Sequence, residues 1–277
     1  MAQIVGGFIV PHPPQSVGTP PVPPPKDKAD ACWSAYAKIR RRLQDLKVDT
    51  VVVVGDDHYT LHGPHCIPSI LIGIGEVSGP VERWLGVPRV AIDNNQPLAR
   101  HIMSHGHHNG VDWAFAKAMT LDHACYVPWH HAIRDVEGVK IIPVYLNAGV
   151  DPLIPSRRAY EVGQAIARAV EAYEGSDRVA IYGTGGMSHW PGMAKMGRIN
   201  EEWDRQLVEL IRAGDVEALM AMSDQAIIEA GGNGGLELKN WICAMGAFGA
   251  CEGDIITYQA MYEWICGCAF AEMKKVA

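Results

Sequence analysis

Short apolar runs that stop abruptly at polar residues divide the chain and predict the strands of a sheet. The clearest run covers residues 50–54 (Thr-Val-Val-Val-Val) and is followed by Gly55, Asp56, Asp57 and His58. Because both faces of this run are apolar, it fits a parallel strand that helices cover on both sides. Its β-branched residues also favour the pleated backbone. Further strands are predicted at residues 4–10, 68–74, 90–92, 139–146 and 178–182.

Between the strands lie segments whose apolar residues recur at helical spacing. The clearest helix covers residues 155–173, with Ser156 as its predicted N-cap. It connects two predicted strands, and such a strand, helix and strand unit implies a parallel or mixed sheet. Pro143 in the preceding strand favours an edge position or an irregularity there. The other predicted helices cover residues 30–46, 96–105, 125–133, 200–211, 216–222 and 235–247, which makes the carboxyl-terminal half mainly helical.

This order of elements predicts an α/β fold. The chain has 277 residues, 48% of them hydrophobic, so it can bury a substantial core, and no repeat or linker divides it. We therefore expect a single domain over residues 1–277, with a mixed, largely parallel central sheet flanked by helices. In open α/β sheets, ligands bind outside the carboxyl ends of the strands, so the active site is expected there.

The charge and the cysteines limit the classes of protein to which the chain can belong. With a net charge of -7, it lacks the concentrated basic face that nucleic-acid binding requires. No apolar run approaches the roughly 18 residues of a membrane span, and the start shows no basic leader segment. We therefore expect a cytoplasmic protein that binds neither nucleic acid nor membrane. None of the seven cysteines forms a Cys-x-x-Cys pair, so they are predicted to be reduced core residues.

Three predicted strands are followed by histidines, namely His12, His58 and His189. The carboxyl ends of parallel strands lie on one edge of a sheet, so these side chains are expected to meet. Two neutral imidazoles and one carboxylate form the facial triad that holds Fe(II) in oxygenases. Glu237 is the preferred carboxylate, because residues 231–235 before it are rich in glycine and let the chain approach a metal closely.

Each of these residues also has a simpler interpretation. A histidine at a strand end can be a hydrogen-bonded structural group, and Glu237 can be a carboxylate at a helix amino terminus. Asp56 and Asp57 compete with Glu237 as ligands, but we expect them instead to orient His58 through its other ring nitrogen. The glycine-rich residues 183–186 could cradle a phosphate, although they lack the lysine of nucleotide motifs. A zinc hydrolase on the same triad and a non-catalytic interaction protein of the same fold are the alternatives.

Five short motifs follow one another over most of the chain. They are Pro11-His12-Pro13, Asp56-Asp57-His58, Leu121-Asp122-His123, residues 183–189 (Gly-Thr-Gly-Gly-Met-Ser-His) and residues 234–241 (Gly-Gly-Leu-Glu-Leu-Lys-Asn-Trp). In this order they resemble the catalytic β subunits of class III extradiol ring-cleavage dioxygenases, the protocatechuate 4,5-dioxygenase group. Residues 200–205 (Asn-Glu-Glu-Trp-Asp-Arg) are similar to the aminobiphenyldiol dioxygenase branch.

The resemblance implies a reaction and a role for five residues. Its metal ligands fall on His12, His58 and Glu237. Its acid–base histidine falls on His189, and a histidine that supports substrate orientation falls on His123. The implied cofactor is Fe(II), and the implied reaction is extradiol cleavage of a catechol-type ring with O2 to a semialdehyde acid, in aromatic catabolism. The resemblance also implies a small α subunit as a partner, and we expect an oligomer.

The sequence departs from that of protocatechuate and gallate enzymes at two segments. Residues 59–62 (Tyr-Thr-Leu-His) and 258–264 (Tyr-Gln-Ala-Met-Tyr-Glu-Trp) stand where those enzymes have smaller or more polar stretches. An acidic residue and large aromatics suit a carboxylated ring poorly, so we expect a neutral or aryl-substituted catechol, or an aminophenol. The proline-rich residues 11–25 must form a loop. This loop and the carboxyl-terminal aromatics are expected either to shape the pocket or an interface, or to be a surface loop and a core helix.

Overall fold

Nine strands form one mixed sheet in the computed structural model, which describes residues 1–18, 20 and 22–276. The strands are β1 (Gln3–Val10), β2 (Thr50–Asp56), β3 (Ile70–Gly79), β4 (Val90–Ile92), β5 (Ala114–Thr120), β6 (Lys140–Leu146), β7 (Arg178–Thr184), β8 (Cys251–Met261) and β9 (Cys266–Lys275). Their order across the sheet is β4-β3-β6-β2-β7-β1-β9-β8, and β5 pairs with β3 beside this path. The predicted α/β fold is confirmed.

The four central strands, β6, β2, β7 and β1, pair with one another in parallel. All seven residues of β2 are buried, and its valines alternate between two cores. Val52 and Val54 belong to one core, and Val51 and Val53 belong to the other. Burying one such side chain contributes roughly 1.5–3 kcal/mol, so this run stabilises the centre of the sheet. The carboxyl ends of β1, β2 and β7 consequently lie side by side at one edge.

Helices cover both faces of the sheet. They are α1 (Lys26–Asp45), α2 (Gln96–His108), α3 (His123–Pro128), α4 (Ser156–Glu171), α5 (Glu201–Ala213), α6 (Val216–Ala221), α7 (Asp224–Gly231) and α8 (Leu238–Phe248). Helices α2, α4 and α8 contribute to one core, and α1 and α3 contribute to the other. None of the helices formed by the described residues has both the length and the apolar character that a membrane span requires.

Two details of the predicted strand, helix and strand unit are wrong. The N-cap of α4 is Pro155, and the hydroxyl of Ser156 is buried without a hydrogen-bond partner among the described residues. Strand β6, which contains Pro143, lies between β2 and β3 and not at an edge. The alternative of an irregularity holds, because the pairing of β6 with β3 stops at Val144. Pro143, the next position, has no N–H to donate.

The carboxyl-terminal end of the chain is a hairpin of strands, so the prediction of a helical end is wrong there. Strands β8 and β9 pair in antiparallel fashion, and β9 also pairs with β1. Because β9 lies inside the sheet, its first eight residues are buried on both faces and show no polar alternation. Since β9 runs antiparallel to β1, its first residues lie beyond the carboxyl end of β1. The hairpin turn, Tyr262–Trp264, therefore approaches the edge where the histidines collect.

Candidate active site

Three histidines follow the ends of adjacent parallel strands. His12 lies two residues after β1, His58 lies two residues after β2, and His189 lies five residues after β7. Since β7 pairs with both β1 and β2, the three loops start side by side. The ring centroids of His12 and His58 are 5.1 Å apart. The fold therefore brings together the strand-end histidines that were proposed from the sequence.

Glu237 reaches these histidines from a 3-10 turn, Gly234–Glu237, which leads into α8. Its Oε1 lies 3.3 Å from Nε2 of His58 and 3.3 Å from Nε2 of His189. Its Oε2 lies 3.4 Å from Nε2 of His12. Burial disfavours the charged carboxylate, but His12 and His189 outweigh burial and hold the pKa of Glu237 well below its usual value. A carboxylate thus lies among three imidazoles.

The glycine-rich residues 183–186 make room for this carboxylate. The backbone N–H of Gly186 donates a hydrogen bond to Oε2 of Glu237 at 2.6 Å. Gly185 has a φ of 140°, which favours glycine, and a Cβ atom there would lie 2.7 Å from Cβ of Glu237. The glycine-rich turn therefore holds a carboxylate of the protein itself, which decides against its interpretation as a phosphate cradle.

The Nδ1 atoms of two histidines have hydrogen-bond partners on the opposite side from Glu237. Nδ1 of His58 lies 3.0 Å from Oδ2 of Asp122. A carboxylate only accepts hydrogen bonds, and His58 outweighs burial to lower the pKa of Asp122, so Nδ1 of His58 carries the proton. Nδ1 of His12 lies 3.1 Å from the hydroxyl of Thr184. The lone pair of His58 is consequently left on Nε2, the atom that faces Glu237, as in imidazoles that bind a metal.

The prediction that Asp56 or Asp57 orients His58 is wrong. Oδ1 of Asp56 accepts a hydrogen bond from Asn240 at 2.8 Å, and its Oδ2 lies 4.0 Å from Nε2 of His58. Burial raises the pKa of Asp56 to about 6. Asp57 stabilises the following loop, because it accepts hydrogen bonds from the backbone N–H groups of Thr60, Leu61 and His62.

His123 is held by a second buried carboxylate, that of Glu82. Oε1 of Glu82 lies 2.6 Å from Nδ1 of His123 and accepts a hydrogen bond from the backbone N–H of the same residue at 3.0 Å. Burial and the neighbouring His58 lower the pKa of His123. Its ring centroid lies 3.9 Å from that of His58. The sequence interpretation missed Glu82 and Asp122 as partners of the histidines, and the only local signal was the position of Asp122 beside His123.

His189 is positioned by its own loop and by a glycine. Its Nδ1 donates a hydrogen bond to the carbonyl of Met187 at 3.0 Å, which leaves Nε2 facing Glu237. Burial disfavours the charged imidazole, but the carboxylate of Glu237 outweighs burial and raises the pKa of His189 to about 9. A Cβ atom on Gly234 would lie 2.2 Å from Cε1 of His189. Nε2 is therefore the atom of His189 that can take up or return a proton beside Glu237.

The donor atoms at this edge fit a metal ion. The ligand atoms of His12, Asp56, His58 and Glu237 all lie within 4.8 Å of one another. Nε2 of His12 is buried and has no hydrogen-bond partner among the described residues. Two imidazole nitrogens and one carboxylate suit non-haem Fe(II). The set of His12, His58 and His123 meets the same distance, and three imidazoles are typical of a zinc site.

Comparison with known proteins decides the family. The model of the family described as the catalytic LigB subunit of aromatic ring-opening dioxygenase matches residues 6–270. The chain belongs to this family. The resemblance to class III extradiol dioxygenases is thereby confirmed, and the match favours a ring-opening dioxygenase over a zinc hydrolase or a non-catalytic interaction protein.

Several relatives of this LigB-family chain carry the same name. A 2,3-dihydroxyphenylpropionate/2,3-dihydroxicinnamic acid 1,2-dioxygenase from Rhodococcus sp is 25% identical over 298 residues, which cover 88% of this chain and 91% of that protein. Enzymes of that name from Rhodococcus jostii and Photorhabdus laumondii are 26% and 22% identical, and the matches cover 88% and 91% of this chain and 91% and 93% of those proteins.

One solved structure shares the fold of this LigB-family chain. The crystal structure of an uncharacterized protein from Escherichia coli K12 has a TM-score of 0.58 and 13% sequence identity. The match covers 98% of this chain and 100% of that chain. At this identity, the likeness bears on the fold alone.

In this LigB-family chain the site histidines face a cavity of about 410 Å³. Its walls include Pro13, Pro14 and Gln15 of the proline-rich loop, and Trp264 and Ile265 of the carboxyl-terminal hairpin. These segments therefore shape the pocket, and the alternative of a core helix at Trp264 is wrong. Residues 19 and 21 of the loop lie outside the described residues. The cavity lining is completed by His12, His58, Tyr59, Trp84, His123, Gly186, His189, Pro191, Gly192, Asn233, Glu237 and Cys266.

Proposed function

We propose that the protein is an Fe(II)-dependent extradiol dioxygenase, which cleaves a catechol-type ring with O2 to a semialdehyde acid in aromatic catabolism. His12, His58 and Glu237 are the proposed iron ligands. His189 is the proposed acid and base, and His123 supports the orientation of the substrate. Family membership supports the class of reaction, and the contacts of the five side chains support their roles.

The convergence of three donor groups carries this proposal. Nε2 of His12 and Nε2 of His58 lie 3.4 Å and 3.3 Å from the two carboxylate oxygens of Glu237. On the far side of each ring, Nδ1 contacts Thr184 or Asp122. When bound to these ligands, Fe(II) supplies a redox centre with open positions at which an aromatic diol and O2 can come together.

His189 is suited to exchange a proton with a ring hydroxyl. Its Nδ1 is held by the carbonyl of Met187, so the exchange takes place at Nε2, which faces the cavity. An imidazole of this kind is an effective general base when its pKa lies near the working pH. The charge of Glu237 raises the pKa of His189, and Glu237 does so less when it shares that charge with a divalent cation.

His123 is suited to hold a ring hydroxyl in place. Glu82 fixes the proton of His123 on Nδ1, and burial together with His58 favours the neutral ring by lowering its pKa. Nε2 of His123 is therefore an acceptor for a hydroxyl group of the substrate. The prolines and Trp264 in the cavity wall limit the access of water to these polar atoms.

The proposal also includes a partner subunit. Tyr59 and Trp84 line the cavity, yet 61% and 65% of their surfaces are exposed. Large aromatics at the mouth of a site are typical of surfaces that a partner covers. We therefore include in the proposal a small α subunit that closes the site, an oligomeric assembly and a cytoplasmic location.

Oxygen uptake tests the proposed reaction. Metal-free protein is reconstituted with Fe(II) under anaerobic conditions and then mixed with a panel of catechols and aminophenols in oxygenated buffer. The expected result is stoichiometric O2 consumption and a yellow ring-opened product with at least one compound. Protein loaded with Zn(II) is the matched control and is expected to consume no O2. Absence of O2 uptake across the panel, or activity with zinc that does not depend on O2, would contradict the proposal.

A further inference from the structure

The cavity contains no obvious partner for a carboxylated substrate. None of the described residues that line it is a lysine or an arginine. Its imidazoles already face carboxylates: His58 and His189 contact Glu237, and His123 contacts Glu82. The second oxygen of Glu82, Oε2, is buried without a hydrogen-bond partner in this part of the structure. The relatives, by contrast, are named for dihydroxyphenylpropionate, a carboxylate.

Two amide oxygens in the lining lack hydrogen-bond partners. Oδ1 of Asn233 is buried and unpartnered, whereas its Nδ2 donates a hydrogen bond to the carbonyl of Pro191 at 3.0 Å. The amide of Asn233 is therefore fixed with its oxygen as the free group. Oε1 of Gln15, in the 3-10 turn of the proline-rich loop, is also buried without a partner among the described residues. Both residues line the cavity.

One donor in the lining is also free. The indole Nε1 of Trp264 is buried without a partner among the described residues. Asn233, Gln15 and Trp264 together offer two acceptors and one donor. A group that both donates and accepts hydrogen bonds, such as a primary amide or a hydroxyl, can satisfy them, whereas a carboxylate can bond only to the indole and leaves both amide oxygens unpaired.

We propose that this cavity selects catechols whose side chain is uncharged and carries a hydrogen-bond donor, and that Asn233 and Gln15 are the residues that select it. The inference rests on the proposed ring-cleavage function. Its physical cause is the cost of burying a polar or charged group without a partner, which exceeds the gain from a typical satisfied hydrogen bond.

Three matched ligands separate charge from hydrogen bonding. They are 2,3-dihydroxyphenylpropionate, its methyl ester and its primary amide, which share the catechol ring and the chain. Dissociation constants are measured by calorimetry with the Fe(II)-loaded protein in the absence of O2, and O2 uptake is measured separately. We expect the amide to bind about tenfold more tightly than the acid, and roughly fivefold more tightly than the ester. Equal binding of amide and ester, or tightest binding of the acid, would overturn the proposal.

Variants of the two amides identify the residues. Asn233→Leu and Gln15→Met should each bring the affinities for amide and ester closer together. Gln15→Arg should increase the affinity for the acid roughly tenfold, because it adds a cation to the lining. Gln15 makes no hydrogen bond that Gln15→Met would remove, so this variant keeps the test valid if Asn233→Leu disturbs its loop. Gln225→Leu, on the exposed face of α7, is the control and should leave all three affinities unchanged.

The two levels of proposal fail in different ways. If no catechol supports O2 uptake, the proposed ring cleavage fails, whatever the order of affinities. If O2 uptake occurs and the acid is used as well as the amide, the ring cleavage stands and the selection by Asn233 and Gln15 is wrong. Unchanged selectivity in both Asn233→Leu and Gln15→Met would also reject these residues as the selecting groups.

Discussion

The imidazole of His58 donates a hydrogen bond from Nδ1 to Oδ2 of Asp122 over 3.0 Å, although 64 positions of sequence separate the two residues. Asp122 is fully buried and is the N-cap of α3, where it also accepts a hydrogen bond from the backbone N–H of Ala124. Its Oδ1 accepts a further hydrogen bond from the hydroxyl of Tyr145 at 3.0 Å. Asp122 is therefore fixed on three sides, and it fixes both the ring orientation and the tautomer of His58.

Replacing Asp122 by asparagine should weaken metal binding. The amide Nδ2 can donate a hydrogen bond to Nδ1 of His58, which moves the ring proton to Nε2 and removes the lone pair that a metal requires. We expect the affinity for Fe(II) to fall roughly 10- to 100-fold, in line with changes to the partners of metal-binding histidines. Anaerobic titration of the metal-free protein with Fe(II) measures this.

Asp57→Asn is the matched control for that variant. Asp57 lies next to His58 in the sequence but accepts hydrogen bonds from the loop at Thr60 and Leu61. This variant should therefore retain the affinity for Fe(II). Equal loss of affinity in Asp57→Asn and Asp122→Asn would contradict the assignment of Asp122 as the group that orients His58.

The strands at the centre of the fold could be predicted from the sequence, because their signal is local. The run at 50–54 is apolar on both faces, and the histidine that follows it lies at the expected edge of the sheet. The partners of the histidines had no such signal. Asp122 contacts His58 across 64 positions and Glu82 contacts His123 across 41, so only the folded chain reveals them.

The carboxyl-terminal hairpin was missed for a different physical reason. Strand β9 reads Cys-Gly-Cys-Ala-Phe-Ala-Glu-Met, and its small residues have weak strand propensity. It is enclosed between β1 and β8, so its pattern shows no alternation of polar and apolar positions. Burial of its one acid, Glu272, depends on a hydrogen-bonded ion pair with Arg42 of α1, 230 positions away. The hairpin brings Trp264 to the cavity, which is why the cavity wall could not be derived from sequence alone.

Changes at Glu237 and His189 should have separable effects. Glu237→Gln removes the charge that lies between the proposed ligands, so the protein is expected to lose most of its iron. His189→Phe leaves the three proposed ligands in place, and it should retain iron while kcat falls roughly 10²- to 10⁴-fold, as expected for the loss of a general acid and base. Iron analysis after gel filtration and O2 uptake measure the two properties. Full iron occupancy in Glu237→Gln would remove Glu237 from the ligand set.

Gly234→Ala should disturb His189 without removing a ligand. The added Cβ would lie 2.2 Å from Cε1 of His189 and 2.3 Å from its Nε2, so the ring must move. A displacement of about 1 Å at a catalytic group can reduce turnover about 10²-fold, and we expect a loss of that order in kcat with iron content retained. Gly235→Ala is the control, because its Cβ meets only the end of the Trp203 ring, at 3.2 Å. A loss in the control as large as in Gly234→Ala would refute the role of this contact.

The carboxylate of Asp204 connects the His189 loop to the carboxyl-terminal hairpin. Its Oδ1 accepts a hydrogen bond from the backbone N–H of Ser188 at 2.9 Å, and its Oδ2 accepts one from the hydroxyl of Tyr258 at 2.8 Å. Burial outweighs these hydrogen bonds and raises the pKa of Asp204 to about 6. The native state therefore binds this proton more tightly than the unfolded chain, in which the pKa of an aspartate is about 4.

Asp204→Asn should remove a pH dependence of stability. In the wild-type protein, the contribution of Asp204 to the free energy of unfolding is greatest below about pH 4, declines as the pH rises to about 6 and is then lost. Asparagine can still accept the hydrogen bond from Ser188 but does not titrate in this range. Urea unfolding of the metal-free proteins between about pH 4 and 7 should show wild type losing stability relative to Asp204→Asn as the pH rises. The comparison cancels the titration of Asp56, which both proteins share. A difference in stability that stays constant, or that moves in favour of wild type with rising pH, would contradict the raised pKa of Asp204.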